Sequence, residues 1–173
     1  MADALALDLV EKRLVINQIV ITVGYDCDNE NYDGEFTYDH YGRKIPKHAH
    51  GTYNMQMQTS SGKLICSAAL ELFDRIVNKN LNIRRLNITV AKVVREEYAS
   101  QPALEQLDLF TDYEKLNAQR QVQEEENQKE KKRQQAVLEI RAKYGKNAVL
   151  KANSLEDGAT ARERNNQIGG HKA

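Results

Sequence analysis

The strongest structural signal in the chain comes from residues 61–78, SGKLICSAALELFDRIVN. Their apolar positions recur every three or four residues, which is the spacing of one face of an α-helix. Such a helix is stable in water only when its apolar face packs against another layer, so the rest of the chain must supply a partner surface. The apolar positions are Leu64, Ile65, Ala68, Ala69, Leu72, Phe73, Ile76 and Val77.

Three segments around this helix predict β-strands: residues 15–25, 52–58 and 84–94. In each, apolar and polar residues alternate, so one side faces a core and the other faces solvent. The apolar sides carry Ile19, Ile21, Val23 and Tyr25, then Tyr53, Met55 and Met57, then Leu86, Ile88 and Val90. The polar sides carry Gln18, Thr22 and Gly24, then Thr52, Asn54, Gln56 and Gln58, then Arg85, Asn87 and Thr89.

A further helix is predicted at the N-terminus, with Asp3 as its cap. Its apolar residues are Leu5, Ala6, Leu9, Val10 and Leu14. The order helix, strand, strand, helix, strand predicts an α+β fold in which two helices pack on one face of a small, mostly antiparallel sheet. The order also resembles a split βαβ arrangement lacking its first strand.

The composition changes near Pro102. Together with the patterns on either side, this change predicts four parts of the chain. Residues 1–97 form the folded domain and residues 98–112 form a linker. Residues 113–145 predict a charged, solvated helix that ends at Gly145, because apolar residues are sparse there. Residues 146–173 predict a polar, loosely ordered tail.

Charge does not by itself indicate a partner, since 25 Lys and Arg balance 25 Asp and Glu. Any DNA binding must therefore come from a local patch. Two cysteines in unlike contexts, and the lack of a secretory signal, favour a cytoplasmic protein. No apolar run approaches the ~20 residues that cross a bilayer, so no membrane partner is expected.

The linker contains a peptide suited to insertion into a preformed pocket. Leu109 and Phe110 would fill an apolar cavity, and the Gln106 amide would bond groups at its rim. Leu107 and Asp108 lie between them. The alternative is that the apolar residues of this peptide dock back onto their own domain.

This QLDLF peptide resembles the sliding-clamp-binding peptide of bacterial DNA polymerases and repair proteins. The runs LALDLVEKRLVINQIVITVGYD, DHYGRKIPKHAHGT, SGKLICSAALELFDRIV and NIRRLNITV resemble the little-finger domain of UmuC-like Y-family (translesion) polymerases. The ending GATARERNNQIGGHKA is similar to tails in Gram-positive and phage-type members. The resemblance implies clamp binding by Gln106, Leu107, Asp108, Leu109 and Phe110.

The resemblance also implies what this sequence does not contain. The family's palm, whose carboxylates hold two Mg²⁺ ions for nucleotidyl transfer, has no counterpart among these residues. We therefore expect no catalytic residue and no cofactor in this chain. Its status as an enzyme stays open, with the expectation that it is inactive alone.

DNA contacts are expected at two places. One is the loop containing Arg43, Lys44, Lys47 and His48, which has no acid between its cations. The other is the polar sheet face, at Arg85, Asn54 and Gln56. No metal site is expected, because neither His48 with His50 nor the stretch 26–30 matches the spacing of a zinc or calcium site.

The predicted function is therefore that of a DNA-binding and clamp-docking part of a translesion polymerase, acting in DNA repair and damage tolerance such as the SOS response. The expected partners are DNA, bound without regard to sequence, and a bacterial sliding clamp. Two alternatives remain. The chain could be the non-catalytic half of a split polymerase, with a separate catalytic fragment as partner. It could instead be a non-enzymatic competitor for the clamp.

Overall fold

The computed structural model describes residues 1–29, 32–99, 113–168 and 171–172 of the chain. They belong to two compact units, one within Ala2–Glu105 and the other within Gln106–Ala173. Each unit is described by itself.

The first unit is an α+β fold, and the predicted fold class is confirmed. Both predicted helices and all three predicted long strands are present, with one additional short hairpin and one short terminal strand. The elements are α1 (Ala2–Glu11), β1 (Leu14–Tyr25), β2 (Phe36–Tyr38), β3 (Lys44–Pro46), β4 (Ala49–Thr59), α2 (Gly62–Ile76), β5 (Ile83–Ala91) and β6 (Val94–Arg95), followed by a 3-10 turn at Glu96–Tyr98.

The main sheet has the strand order β4-β1-β5, and both pairings are antiparallel. Strand β6 continues the register of β5 along the beginning of β1, after an interruption at Lys92, whose φ is 52°. Strand β1 pairs directly with β4 on one side and with β5 on the other. These three strands therefore leave no gap for the additional strand that the split βαβ arrangement would place among them.

The core lies between the inner face of this sheet and the two helices. Strand β1 contributes Ile19, Ile21 and Val23, all almost fully buried, and α2 contributes Ile65 and Leu72. The side chains of Leu86, Ile88 and Val90 pack against this core from β5, as their alternation predicts.

The helix ends follow local capping chemistry. Ser61 caps α2, and its hydroxyl oxygen accepts a hydrogen bond from the Leu64 backbone N–H at 3.3 Å. Asp3 was expected to cap α1 but lies inside its first turn, because the helix already begins at Ala2. Its carboxylate instead accepts a hydrogen bond from the Cys66 thiol at 3.2 Å, which joins the two helices.

The alternation predicted for β4 holds only in part. Tyr53 and Met55 pack against the core, whereas Met57 is 48% exposed. The register shifts here, since β1 pairs Gln18 with Asn54 but pairs Ile16 with Thr59. The additional residues of β4 form a bulge that turns Met57 away from the core.

The second unit begins with the predicted charged helix, α3 (Tyr113–Tyr144). Gly145 ends it with a φ of +91°, a left-handed conformation that glycine adopts without strain. The following segment contains a 3-10 turn (Ala152–Leu155), α4 (Ala161–Asn165), and the paired strands β7 (Gln167–Ile168) and β8 (His171–Lys172).

Polar side chains connect this segment to the end of α3. The Arg141 guanidinium donates to the Val149 carbonyl at 2.8 Å. The Asn147 amide donates to the Asn166 side chain and accepts from the Asn165 side chain, both at 2.8 Å. The tail that composition predicts to be loosely ordered thus contains short elements tied together by asparagine amides.

Candidate nucleic-acid interface

The outer face of the main sheet is formed by alternate residues of three strands. We call this set the outer face: Gln18, Val20, Thr22 and Gly24 of β1, His50, Thr52 and Asn54 of β4, and Arg85, Asn87, Thr89 and Ala91 of β5. The strands that form it are described in full, and they place no carboxylate on it. This follows from the alternation of each strand, which sends the apolar side chains to the core.

Cross-strand hydrogen bonds order this face. Gln18 donates its amide N–H to the Asn54 side-chain oxygen at 2.8 Å. Thr22 and the His50 ring nitrogen Nδ1 lie 3.0 Å apart in hydrogen-bonding geometry. Arg75 reaches from α2 to the β4 edge and donates to the Thr52 carbonyl at 3.0 Å. The face is therefore a surface of fixed amides and hydroxyls.

The predicted contacts Arg85 and Asn54 both lie on the outer face, on opposite sides of β1. Arg85 pairs with Gly24, and its side chain is exposed. Gln56 is exposed in the part of β4 where the register shifts, beyond the regular ladder. The structure therefore brings Arg85 and Asn54 onto one surface and sets Gln56 at its margin.

The loop expected to contact phosphate is the hairpin formed by β2 and β3, and its turn is closed by Asp39. The Asp39 carboxylate accepts hydrogen bonds from the Tyr41 and Arg43 backbone N–H groups, each at 2.9 Å. It also accepts from Arg43 Nε at 2.8 Å and lies 2.6 Å from Arg43 Nη2. These bonds, above all those from the Arg43 side chain, hold the pKa of Asp39 below its ordinary value of 3.8.

The two lysines of the hairpin, Lys44 and Lys47, also contact neighbouring side chains. Lys47 pairs with Glu35 at 2.6 Å, a bond that lowers the pKa of Glu35 and raises that of Lys47. The Lys44 ammonium lies 3.9 Å from the centre of the Phe36 ring. Two of the three loop cations are thus paired with acids of the same hairpin, which weakens the field they offer a phosphate.

His48 is exposed and follows Lys47 in the connection between β3 and β4, whereas His50 lies on the outer face.

Among the described residues, one group gathers side chains of the types that bind metals: Asp26, Cys27 and Asp28. Cys27 donates both its backbone N–H, at 2.7 Å, and its thiol, at 3.2 Å, to Asp26. These bonds lower the pKa of Asp26 and raise that of Cys27. Hydrogen bonds within the cluster therefore explain why these side chains lie close together.

Three residues of the surface, His50, Tyr38 and Tyr41, were not assigned to it by the sequence interpretation, whereas the predicted clamp peptide is a separate matter. His50 belongs to the outer face, and extending the alternation of β4 two residues back from Thr52 would have found it. Tyr38 and Tyr41 project from the hairpin, which a sequence pattern does not reveal because their exposure depends on the turn. The clamp peptide, Gln106 to Phe110, lies outside the described residues.

Among the helices in the described part of the chain, none combines the length and the apolar character required to cross a bilayer.

Comparison with known proteins identifies one family. Residues 1–109 match the model of the impB/mucB/samB family C-terminal domain, which is well over half of the chain. Neither the curated proteins nor the solved structures contain a match.

Proposed function

Because the chain belongs to the impB/mucB/samB C-terminal domain family, the C-terminal region of UmuC-like Y-family polymerases, we propose that it binds DNA through its outer face and attaches to a bacterial sliding clamp through residues 106–110. In this role it serves DNA repair and damage tolerance by keeping a translesion polymerase on its substrate.

The observation that carries the DNA-binding part is the outer face itself. It presents amides, hydroxyls and the Arg85 guanidinium, with no carboxylate on the described strands that form it. Phosphate oxygens accept hydrogen bonds and repel carboxylates, so a surface of this composition can lie along a DNA backbone. Such contacts are independent of base sequence, which suits a protein that must hold any damaged site.

The hairpin cations have a smaller part in this proposal than the sequence indicated. Arg43 and Lys47 are paired with Asp39 and Glu35, whereas no described carboxylate forms an ion pair with Arg85. A cation that is not paired with an acid neutralises a phosphate more fully, so its binding releases more of the counterions condensed on the DNA. Arg85 is therefore the principal electrostatic contact that we propose on the outer face.

The clamp-docking part is supported by the peptide chemistry and by its position. Leu109 and Phe110 supply two apolar anchors, and Gln106 supplies an amide that can satisfy groups at a pocket rim. The peptide lies between the last described residue of the first unit, Ala99, and the beginning of α3 at Tyr113. A weak clamp contact and a weak DNA contact on one chain strengthen each other through effective concentration.

The test measures binding of the full chain to two fluorescent duplexes of unrelated sequence over a range of salt concentrations. The Arg85→Gln variant should bind both duplexes several-fold more weakly and lower the slope of log affinity against log salt by about one. The matched control is Lys12→Gln, which removes an exposed cation paired with Asp8 at the end of α1. Because both helices cover the inner face of the sheet, this control should bind as the unmodified chain does.

Thermal unfolding of both variants checks that the fold is retained. Equal affinity of Arg85→Gln and the unmodified chain would remove the outer face from the proposal. Strong preference for one of the two duplexes would contradict backbone recognition.

A further inference from the structure

The hairpin formed by β2 and β3 displays two tyrosines that the core does not use. Tyr38 is 72% exposed and Tyr41 is 79% exposed. Neither belongs to the hydrophobic core or to the residues packed against it. Their rings are available to a partner, and we call Tyr38, His40, Tyr41, Arg43 and Lys44 the hairpin tip.

The backbone of the hairpin tip is held in place before any partner arrives. Asp39 accepts both the Tyr41 and the Arg43 backbone N–H. The Asp39 N–H donates to the Arg43 carbonyl at 3.0 Å, and Gly42 takes a φ of +74° that closes the turn. A rigid turn loses little entropy on binding, which is the property of a prepared recognition surface.

The aromatic rings in the tip are arranged with cations. His40 and Tyr41 meet edge to face, with ring centres 5.5 Å apart. The Arg43 guanidinium lies 5.4 Å from the centre of the Tyr41 ring while its charge is paired with Asp39. Lys44 lies opposite Tyr38 in the β2–β3 ladder, on the same side of the hairpin.

An exposed aromatic ring beside a cation matches the chemistry of unpaired nucleotides. The base stacks on the ring, and the backbone phosphate meets the cation. Bases within a duplex are already stacked on each other and offer no free face to a protruding ring. This arrangement therefore favours single-stranded over double-stranded DNA.

We propose that the hairpin tip is a stacking site for an unpaired base of single-stranded DNA, with Tyr41 as the stacking ring and Lys44, which lies opposite Tyr38, as the contact for a phosphate further along the strand. This goes beyond the proposed duplex binding, because it assigns a second contact with a different chemistry. The two surfaces are connected along the chain, since Lys47 and His48 join β3 to β4, which places His50 on the outer face. A DNA partner is favoured over a protein partner by this continuity.

The absence of tryptophan from the chain makes a direct test possible. A Tyr41→Trp variant would carry a single tryptophan at the tip, so its fluorescence would report stacking there alone. Titration of the full chain with oligothymidylate should quench this fluorescence. Titration with a blunt-ended duplex should leave it nearly unchanged.

Affinity measurements on further variants give an independent readout. Tyr41→Leu should weaken binding to oligothymidylate by roughly five-fold or more, the loss of one base–ring stack. Tyr41→Phe, which keeps the ring, should bind as the unmodified chain does. The matched control is Tyr98→Leu, which removes a tyrosine of similar exposure, 71%, from the 3-10 turn after β6.

Three results would overturn the proposal. These are unchanged oligothymidylate affinity in Tyr41→Leu, an equal loss in Tyr98→Leu, and equal quenching by single strand and duplex. None of these three results would contradict duplex binding by the outer face, because the duplex affinity of the same variants is measured separately. The two sites are distinct if Arg85→Gln weakens duplex binding and the same change, combined with Tyr41→Trp, leaves the quenching by oligothymidylate intact.

Discussion

Gly51 of β4 faces Ile76 of α2 so closely that a Cβ at position 51 would lie 2.7 Å from Cγ2 of Ile76. It would also lie 2.9 Å from Cδ1 of Leu72. The missing side chain allows the helix to approach the sheet, and that approach closes the core beneath the outer face.

We expect Gly51→Ala to lower the free energy of unfolding by about 1–3 kcal/mol, because the added methyl group overpacks a closed core. Chemical denaturation measures this. The matched control is Gly24→Ala, where the nearest atom would be Cβ of Arg85 at 3.5 Å, an ordinary contact. In an Ile76→Ala background the cost of Gly51→Ala should shrink. An undiminished cost there would show that the strain does not come from Ile76 and would leave Leu72 as its source.

The Asp39 carboxylate should make the hairpin tip sensitive to acid. Its pKa in the folded chain is lowered, mainly by hydrogen bonds from Arg43, so it stabilises the turn at pH values above its ordinary pKa of 3.8. This contribution is lost as the pH falls through the lowered value, where the carboxylate takes up a proton. Amide hydrogen exchange or NMR shifts of Tyr41 and Arg43, followed from neutral pH to about pH 3, measure the change.

Asp39→Asn should show the loosened turn already at neutral pH and lose most of the acid response. Asp33→Asn serves as control, since it removes a nearby exposed charge without removing the bonds that Asp39 accepts. If Asp39→Asn keeps the acid response of the unmodified chain, another group controls the turn.

A synthetic peptide of residues 102–112 should bind a bacterial sliding clamp in the micromolar range, or roughly −8 kcal/mol. Changing Leu109 and Phe110 together to Ala should cost several kcal/mol, because both apolar anchors are lost. Asp108→Ser should change little, since that side chain is expected to face solvent. Isothermal calorimetry measures all three peptides.

The same double substitution in the full chain should leave DNA affinity unchanged, because the two functions occupy separate segments. Normal clamp binding by the double variant, or simultaneous loss of DNA binding, would favour the alternative in which these residues pack onto the domain.

We expect no template-directed nucleotide incorporation by the purified 173-residue chain supplied with Mg²⁺. Two-metal catalysis requires carboxylates arranged around a pair of ions. In the described ranges, the group nearest to that requirement is Asp26, Cys27 and Asp28, whose thiol is a poor ligand for Mg²⁺. A primer-extension assay with an Asp26→Asn and Asp28→Asn control decides this. Incorporation that the control abolishes would place chemistry in this loop.

Much of the fold follows from local periodicity. The helical spacing of residues 61–78 and the alternation along β1 and β5 predict which side chains enter the core, because each pattern depends only on neighbouring residues in the chain. The same alternation places Arg85 and Asn54 on a polar face. The bulge in β4 was not predicted, since Met57 continues the alternation in sequence and leaves it only where the register with β1 shifts.

Local patterns and motifs in the chain thus predict the two helices of the first unit, its three long strands, the polar character of one sheet face and the family to which the chain belongs. The folded chain is needed to see that β1 lies at the centre of the sheet and that Lys47 is paired with Glu35. It is also needed to see that Tyr41 projects into solvent beside Arg43. Local patterns cannot predict these features because periodicity depends on residues a few positions apart. Strand order depends on residues that only the folded chain brings together, and so does the pairing of a charge across a hairpin.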